Sequence, residues 1–97
     1  MTIPQPAGLI AVLQDKAARI DERDDAAMDL GNHDEPEALM ALLEAATDPA
    51  EDVSIVSSAG ESIGLIWQRT GMFDSELLGR LRPEAQKEIR GLAQPPG

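Results

Sequence analysis

Two groups of residues in this chain have types and spacings that could do chemistry. The first is Gly60-Glu61-Ser62-Ile63-Gly64, which spells the G-x-S-x-G frame that lifts a nucleophilic serine onto a tight turn between a strand and a helix. The second is a crowd of carboxylates around the single histidine: Asp21, Glu22, Asp24, Asp25, Asp29, Asp34, Glu35 and Glu37 with His33. Such a crowd could ligate a divalent cation, supply an acid–base pair, or face a basic partner.

The serine frame fails on periodicity. Val53, Val56, Gly60, Ile63, Trp67 and Thr70 recur at intervals of three and four, a helical period that runs without a break through the would-be strand and turn. Ile55, Ala59 and Ile66 widen the same stripe, and Ser54, Ser57, Glu61, Gln68 and Arg69 fall on the outer face. The base histidine of such a site also follows its serine along the chain, whereas His33 precedes Ser62. A chain of 97 residues is too short for the doubly wound sheet that carries this elbow. Gly60 and Gly64 are instead expected to admit a neighbouring helix, each costing about 1 kcal/mol of helix propensity against alanine. Glu61, between them, is expected to be solvated or paired with an arginine.

The carboxylates do not form a recognisable metal frame. Asp29-Leu30-Gly31-Asn32-His33-Asp34 has Leu-Gly where an EF-hand loop needs oxygen ligands, and no cysteine is present to make a thiolate site or a disulfide. No acid pair lies in an apolar setting that would shift one pKa for catalysis. No catalytic residue, metal or cofactor is therefore expected, and His33 reads as a loop residue.

Charge says more. The chain holds 18 acids against 8 bases, a formal net charge of −10. Residues 1–52 carry 13 acids and 3 bases, net −10, while residues 53–97 carry 5 of each, net zero. An acidic chain repels nucleic acid and anionic membrane and favours cationic partners. Arg69, Arg80, Arg82, Lys87 and Arg90 are interleaved with acids, and with only Trp67 and Phe73 aromatic the basic stretch lacks stacking platforms for nucleic acid. The expected contact surface is Glu22, Asp25, Asp29, Asp34, Glu35 and Glu37 with His33, for a basic protein partner. The plain alternative is a solvated face that serves solubility only.

The elements that must hold these residues are all helical. Ala and Leu dominate, and the apolar run Leu9 to Leu13 is too short for a signal peptide or a membrane span, so the sequence predicts a cytoplasmic, non-membrane protein. Leu9, Ile10, Val12, Leu13, Ala17 and Ile20 predict a first helix over 7–19. Asp21 then reads as an N-cap, with Gly31 ending the second helix; Asp34 and Pro36 open a third with Ala38, Leu39, Leu42, Leu43 and Ala46 inward. After Asp48-Pro49 a fourth helix is predicted over 51–70, closed by Gly71. Asp74 caps a fifth with Leu77, Leu78 and Leu81, and Pro83 opens a sixth with Ala85, Ile89 and Leu92. The short connections predict antiparallel neighbours in one all-α domain over 1–97, with 1–6 and 94–97 frayed.

Arg23 to Leu43 reads R-x-x-A-A-x-x-L-G-x-x-D-x-P-x-A-L-x-x-L-L and resembles the short HEAT-like repeat of bacterial phycobilisome-lyase relatives. The resemblance implies a small right-handed stack of five to six antiparallel helices, with Arg23, Ala26, Ala27, Leu30 and Gly31 in the first helix of a hairpin and Asp34, Pro36, Ala38, Leu39 and Leu42 in the second. Glu35, inserted between Asp34 and Pro36, departs from the pattern. Gly71 and Asp74 lie 40 residues beyond Gly31 and Asp34, and Leu78 and Leu81 lie 39 beyond Leu39 and Leu42, which suggests a second, degenerate copy. Small acidic proteins of this kind also look like immunity proteins or antitoxins, which implies an inhibitor that covers a cationic toxin. A structural or regulatory scaffold, monomeric or weakly dimeric through Met72, Phe73 and Leu77, is the other expectation.

Overall fold

The computed structural model describes residues 4–95, which form six α-helices and one 3-10 turn, with no strand among the described residues. Fraying at 1–3 and 96–97 is a matter outside them. Helix α1 spans Ala7–Gln14, α2 Ile20–Asp29, the 3-10 turn Leu30–Asn32, α3 Pro36–Thr47, α4 Val53–Thr70, α5 Ser75–Arg80 and α6 Pro83–Leu92. The chain ahead of α1 is tied to it: the Gly8 and Ile10 N–H groups donate to the Pro4 and Pro6 carbonyls, and the Leu9 N–H donates to Gln5 Oε1.

Several helix starts and stops differ from the sequence reading, each for a local reason. The helix predicted over 7–19 ends at Gln14, because the Asp15 carboxylate accepts from the Ala17 N–H at 3.0 Å and turns the chain. Ile20, assigned by spacing to the first stripe, instead opens α2 and is 46% exposed. The N-cap position of α2 is Arg19, not Asp21; Asp21 sits in the first turn, where its charge suits the positive end of the helix, and accepts from Arg19 Nε and Nη2 at 3.1 and 2.9 Å. At α3 the cap position is Glu35 rather than Asp34, because the residue before Pro36 is driven into extended backbone (φ −66°, ψ 135°) by the proline ring. Asp34 is thereby left to pair with Arg69.

Asp74 caps α5 as expected, accepting from the Leu77 N–H at 2.9 Å, while α4 starts at Val53 because Asp52 takes the cap position and accepts from the Ser54 N–H at 2.9 Å. Gly71 ends α4 with φ +73°, and it alone among the described residues takes a positive φ. Gly31 has a different job. It lies in the 3-10 turn, and a Cβ there would come within 2.8 Å of Ser62 Oγ. The two glycines that align at an offset of 40 therefore serve closure of a helix in one case and close packing in the other.

Helix α4 is the axis of the molecule, packing against α2, α3 and α6, with α6 its most extensive partner. Its buried Ile55, Val56, Ala59, Ile63, Ile66 and Trp67 meet Ala38 and Leu42 of α3, Leu30, and Ala85 and Ile89 of α6 in one continuous core. Val53, counted in the same stripe, is half exposed because it sits in the first turn of α4. The α4–α6 seam is the tightest. A Cβ on Gly60 would lie 2.6 Å from Ala85 Cα, and one on Gly64 3.1 Å from Leu92 Cβ. Trp67 is fully buried beneath Phe73, edge to face at 5.5 Å between ring centroids, a geometry that adds about 1 kcal/mol beyond area burial.

Candidate functional site

Ser62 occupies the middle of α4, is 1% exposed, and its Oγ donates to the Ala27 carbonyl at 2.6 Å. Two residues on an α-helix are separated by about 200° of rotation, so Ser62 faces α2 while Gly60 and Gly64 face α6. One turn earlier Ser58 Oγ donates to the Asp24 carboxylate. Further along the same helix Arg69 donates through Nη1 to the Gly31 carbonyl at 3.0 Å and through Nη2 to Asp34 at 2.7 Å. Ser58, Ser62 and Arg69 thus bond α4 to α2 and the turns that follow it. The serine frame is a packing row, with the hydroxyl used for a backbone contact and the glycines for a helix crossing.

The carboxylates sort into three places. Glu22, Asp25 and Asp29 are exposed at i, i+3 and i+7 on the outer face of α2, opposite the buried Arg23, Ala26 and Ala27. In the turn at 33–35, His33 Nδ1 lies 3.5 Å from Glu35 Oε1, and Asp34 is engaged by Arg69. Glu37 stands in the first turn of α3 and, with Ile10, Gln14, Met40, Ala41 and Glu44, lines a groove between α1 and α3. One helix face therefore gathers three of the seven candidate residues, and the other four lie along the turn and the start of α3.

Which charges remain open follows from the ion pairs. The three cations of residues 1–52 are all engaged within the molecule: Lys16 with Asp48 and Glu51, Arg19 with Asp21, and Arg23 with Glu51. Among the described residues no lysine or arginine pairs with Glu22, Asp25, Asp29, Glu35, Glu37 or Glu44. Like charges at i, i+4, such as Asp21 with Asp25 and Asp25 with Asp29, each destabilise a helix by about 0.2–0.5 kcal/mol. The acidic face of α2 is held at a small cost in stability.

A further ionic cluster lies outside the motifs and the candidate residues read from the sequence. Glu51 is 7% exposed and accepts from Arg23 Nη2 at 2.6 Å, from Lys16 Nζ at 2.7 Å and from the Asp52 N–H at 3.0 Å. Arg23, 3% exposed, also donates through Nε and Nη2 to the Leu13 carbonyl at 3.0 and 2.9 Å. Arg82 Nη1 donates to the Asp48 and Glu51 carbonyls at 3.1 and 2.8 Å. Three inter-helix turns, 15–19, 48–52 and 81–82, are thereby fastened at one end of the molecule. Burial alone would raise the Glu51 pKa, but the bonds from Arg23 and Lys16 and the Asp52 N–H outweigh it and hold the carboxyl down at about 2. Lys16 is raised, chiefly by its bond to Glu51, and Asp48 is lowered, first by the Ala50 N–H and then by Lys16. The signal that could have found half of this cluster is the position of Arg23 on the apolar stripe with Ala26, Ala27 and Leu30, since a buried guanidinium demands a carboxylate.

Among the described residues no three His, Asp or Glu side chains converge to hold a metal ion, and no helix is long and apolar enough to cross a membrane. No family model matches this chain, and no curated protein or solved structure matches it.

Proposed function

We propose that this protein is a binding module whose acidic first half docks on and neutralises a basic protein, in the manner of an immunity protein or antitoxin that covers a cationic toxin. The observation that carries the reading is the disposition of charge. Every cation of residues 1–52 is engaged inside the molecule, and Glu22, Asp25, Asp29, Glu35, Glu37 and Glu44 face outward without a lysine or arginine partner among the described residues. Paired charges at a surface contribute little to stability, and unpaired like charges detract from it, so an outward array of this kind favours recognition over folding. A complementary basic surface would be attracted at long range, which raises the association rate and makes binding sensitive to salt.

The test is capture of basic proteins from an extract by the wild type and by an Asp25→Lys, Asp29→Lys, Glu35→Lys, Glu37→Lys variant at low and high salt. A basic protein retained by the wild type at low salt and lost with the variant supports the reading; identical retention by both overturns it. A second reading, a self-associating HEAT-like scaffold, is favoured by the 40% exposure of Met72 beside Phe73 and Leu77. It predicts a dimer whose sedimentation is indifferent to salt and is abolished by Met72→Lys.

A further inference from the structure

Both acidic helices set an exposed methionine among carboxylates, Met28 on α2 at 45% and Met40 on α3 at 68%, but at α3 the neighbouring α1 adds a second wall and makes a groove. Glu37, Met40, Ala41 and Glu44 fall at i, i+3, i+4 and i+7, and with Ile10 and Gln14 of α1 they line a groove of about 280 Å³. Met40 is 68% exposed, the most exposed of the large apolar side chains among the described residues. Glu37 and Glu44 mark the two ends, about 10 Å apart along the helix axis. Neither has a lysine or arginine partner among the described residues.

We propose that this groove docks a basic amphipathic helix of the protein partner. The inference rests on the basic-partner reading above and specifies its anchor. An apolar side chain of the incoming helix lies over Met40 and Ile10, and lysines or arginines two turns apart on the same helix reach Glu37 and Glu44. The spacing of the two carboxylates equals that of positions i and i+7 on an α-helix, which is the register an amphipathic segment presents. The flexible thioether of Met40 adapts to apolar surfaces of differing shape. Charge selects the occupant: a second copy of this chain would bring its own Glu37 and Glu44 and a net charge of −10 against the same groove, whereas a cationic helix is attracted. The division of labour follows, with the α2 face governing encounter and the groove governing how long the partner stays.

The probe is a synthetic amphipathic helix of about 16 residues with leucines at helical spacing and flanking lysines, set beside a scrambled peptide of the same composition. Binding is read by fluorescence anisotropy. The wild type is expected to bind the amphipathic peptide about tenfold more tightly than the scrambled one. Met40→Lys removes that preference, and because Met40 is largely exposed its thermal unfolding stays at the wild-type temperature. A Glu22→Gln, Asp25→Asn, Asp29→Asn variant weakens binding of both peptides alike and keeps the preference. Equal affinity for both peptides, or a preference that survives Met40→Lys, overturns the groove. If both peptides bind equally, with salt sensitivity lost in the α2 variant, the acidic-face reading stands and only the groove falls. If neither peptide binds and the charge-reversed protein captures the same proteins as the wild type, both fall. A wild-type dimer that Met40→Lys dissociates would make a second copy the occupant and would also overturn the proposal.

Discussion

Glu51 and Asp25 belong to the same acidic half of the chain and do opposite things. Glu51 is buried between Arg23 and Lys16, with its carboxyl held at about 2, and binds the turns of the helices together. Asp25 stands on the outer face of α2, exposed and without a cationic partner among the described residues, in repulsive register with Asp21 and Asp29. A net charge of −10 therefore combines two populations, one consumed in folding and one left for solvent or a partner. Charge counting alone cannot separate them; the position of each side chain relative to the core does.

The comparison can be broken hardest at Arg23. Arg23→Ala leaves Glu51 buried with Lys16 as its remaining cation, and the expected loss is about 3–5 kcal/mol in urea unfolding. A loss below about 1 kcal/mol would mean that the turn cluster is ornamental. Gly60→Ala comes next, since its Cβ would press on the Ala85 backbone and separate α4 from α6; overpacking of this kind costs about 1–3 kcal/mol. Gly64→Ala, whose Cβ would meet Leu92 Cβ and Cδ1 at 3.1 Å and Ile89 Cα at 3.3 Å, longer than the 2.6 Å at Gly60, should cost less.

Acid sharpens the same comparison. The Glu51 carboxyl lies at about 2 in the folded protein against 4.5 ordinarily, so its contribution is complete above pH 4.5 and is lost as pH falls towards 2. The loss is on the order of 2 kcal/mol after discounting for solvent screening, and Glu51→Gln should abolish most of the acid sensitivity in that window. Asp48 and Asp52, both lowered, act in the same direction. Lys16, raised by Glu51, contributes below its ordinary value of 10.5 and loses that contribution as pH rises through its folded value. The smallest effect belongs to the outer face: Asp25→Asn with Asp29→Asn should raise stability by about 0.4–1 kcal/mol, because it relieves two like-charge contacts on α2, Asp21 with Asp25 and Asp25 with Asp29.

Much of the architecture was legible because it rests on local rules. Asp74 caps as its position before apolar periodicity requires, Gly71 takes the left-handed conformation, and the three–four spacing from Val56 to Trp67 distinguishes a helix from a nucleophile elbow. What escaped was set by local bonds that periodicity does not register and by contacts distant in sequence. Asp15 ends α1 by bonding its own neighbourhood. Asp34 looks like a cap until the proline constraint moves that place to Glu35 and Arg69 claims the carboxylate. Glu51 is indistinguishable in sequence from any acid in a turn; its partners Arg23 and Lys16 lie 28 and 35 residues away. The exposed α2 carboxylates were found by charge, but the groove at Met40 was hidden, because its floor combines residues from α1 and α3.

The most direct measurement pairs two proteins in one experiment: Glu51→Gln and Asp25→Lys, Asp29→Lys, each compared with the wild type for thermal unfolding and for low-salt retention of a basic protein. The account predicts that Glu51→Gln unfolds at lower temperature and keeps its partner, while the α2 variant unfolds at or above the wild-type temperature and loses it. An α2 variant that retains the partner, or one that loses it only by unfolding, would contradict the division between folding and binding carboxylates.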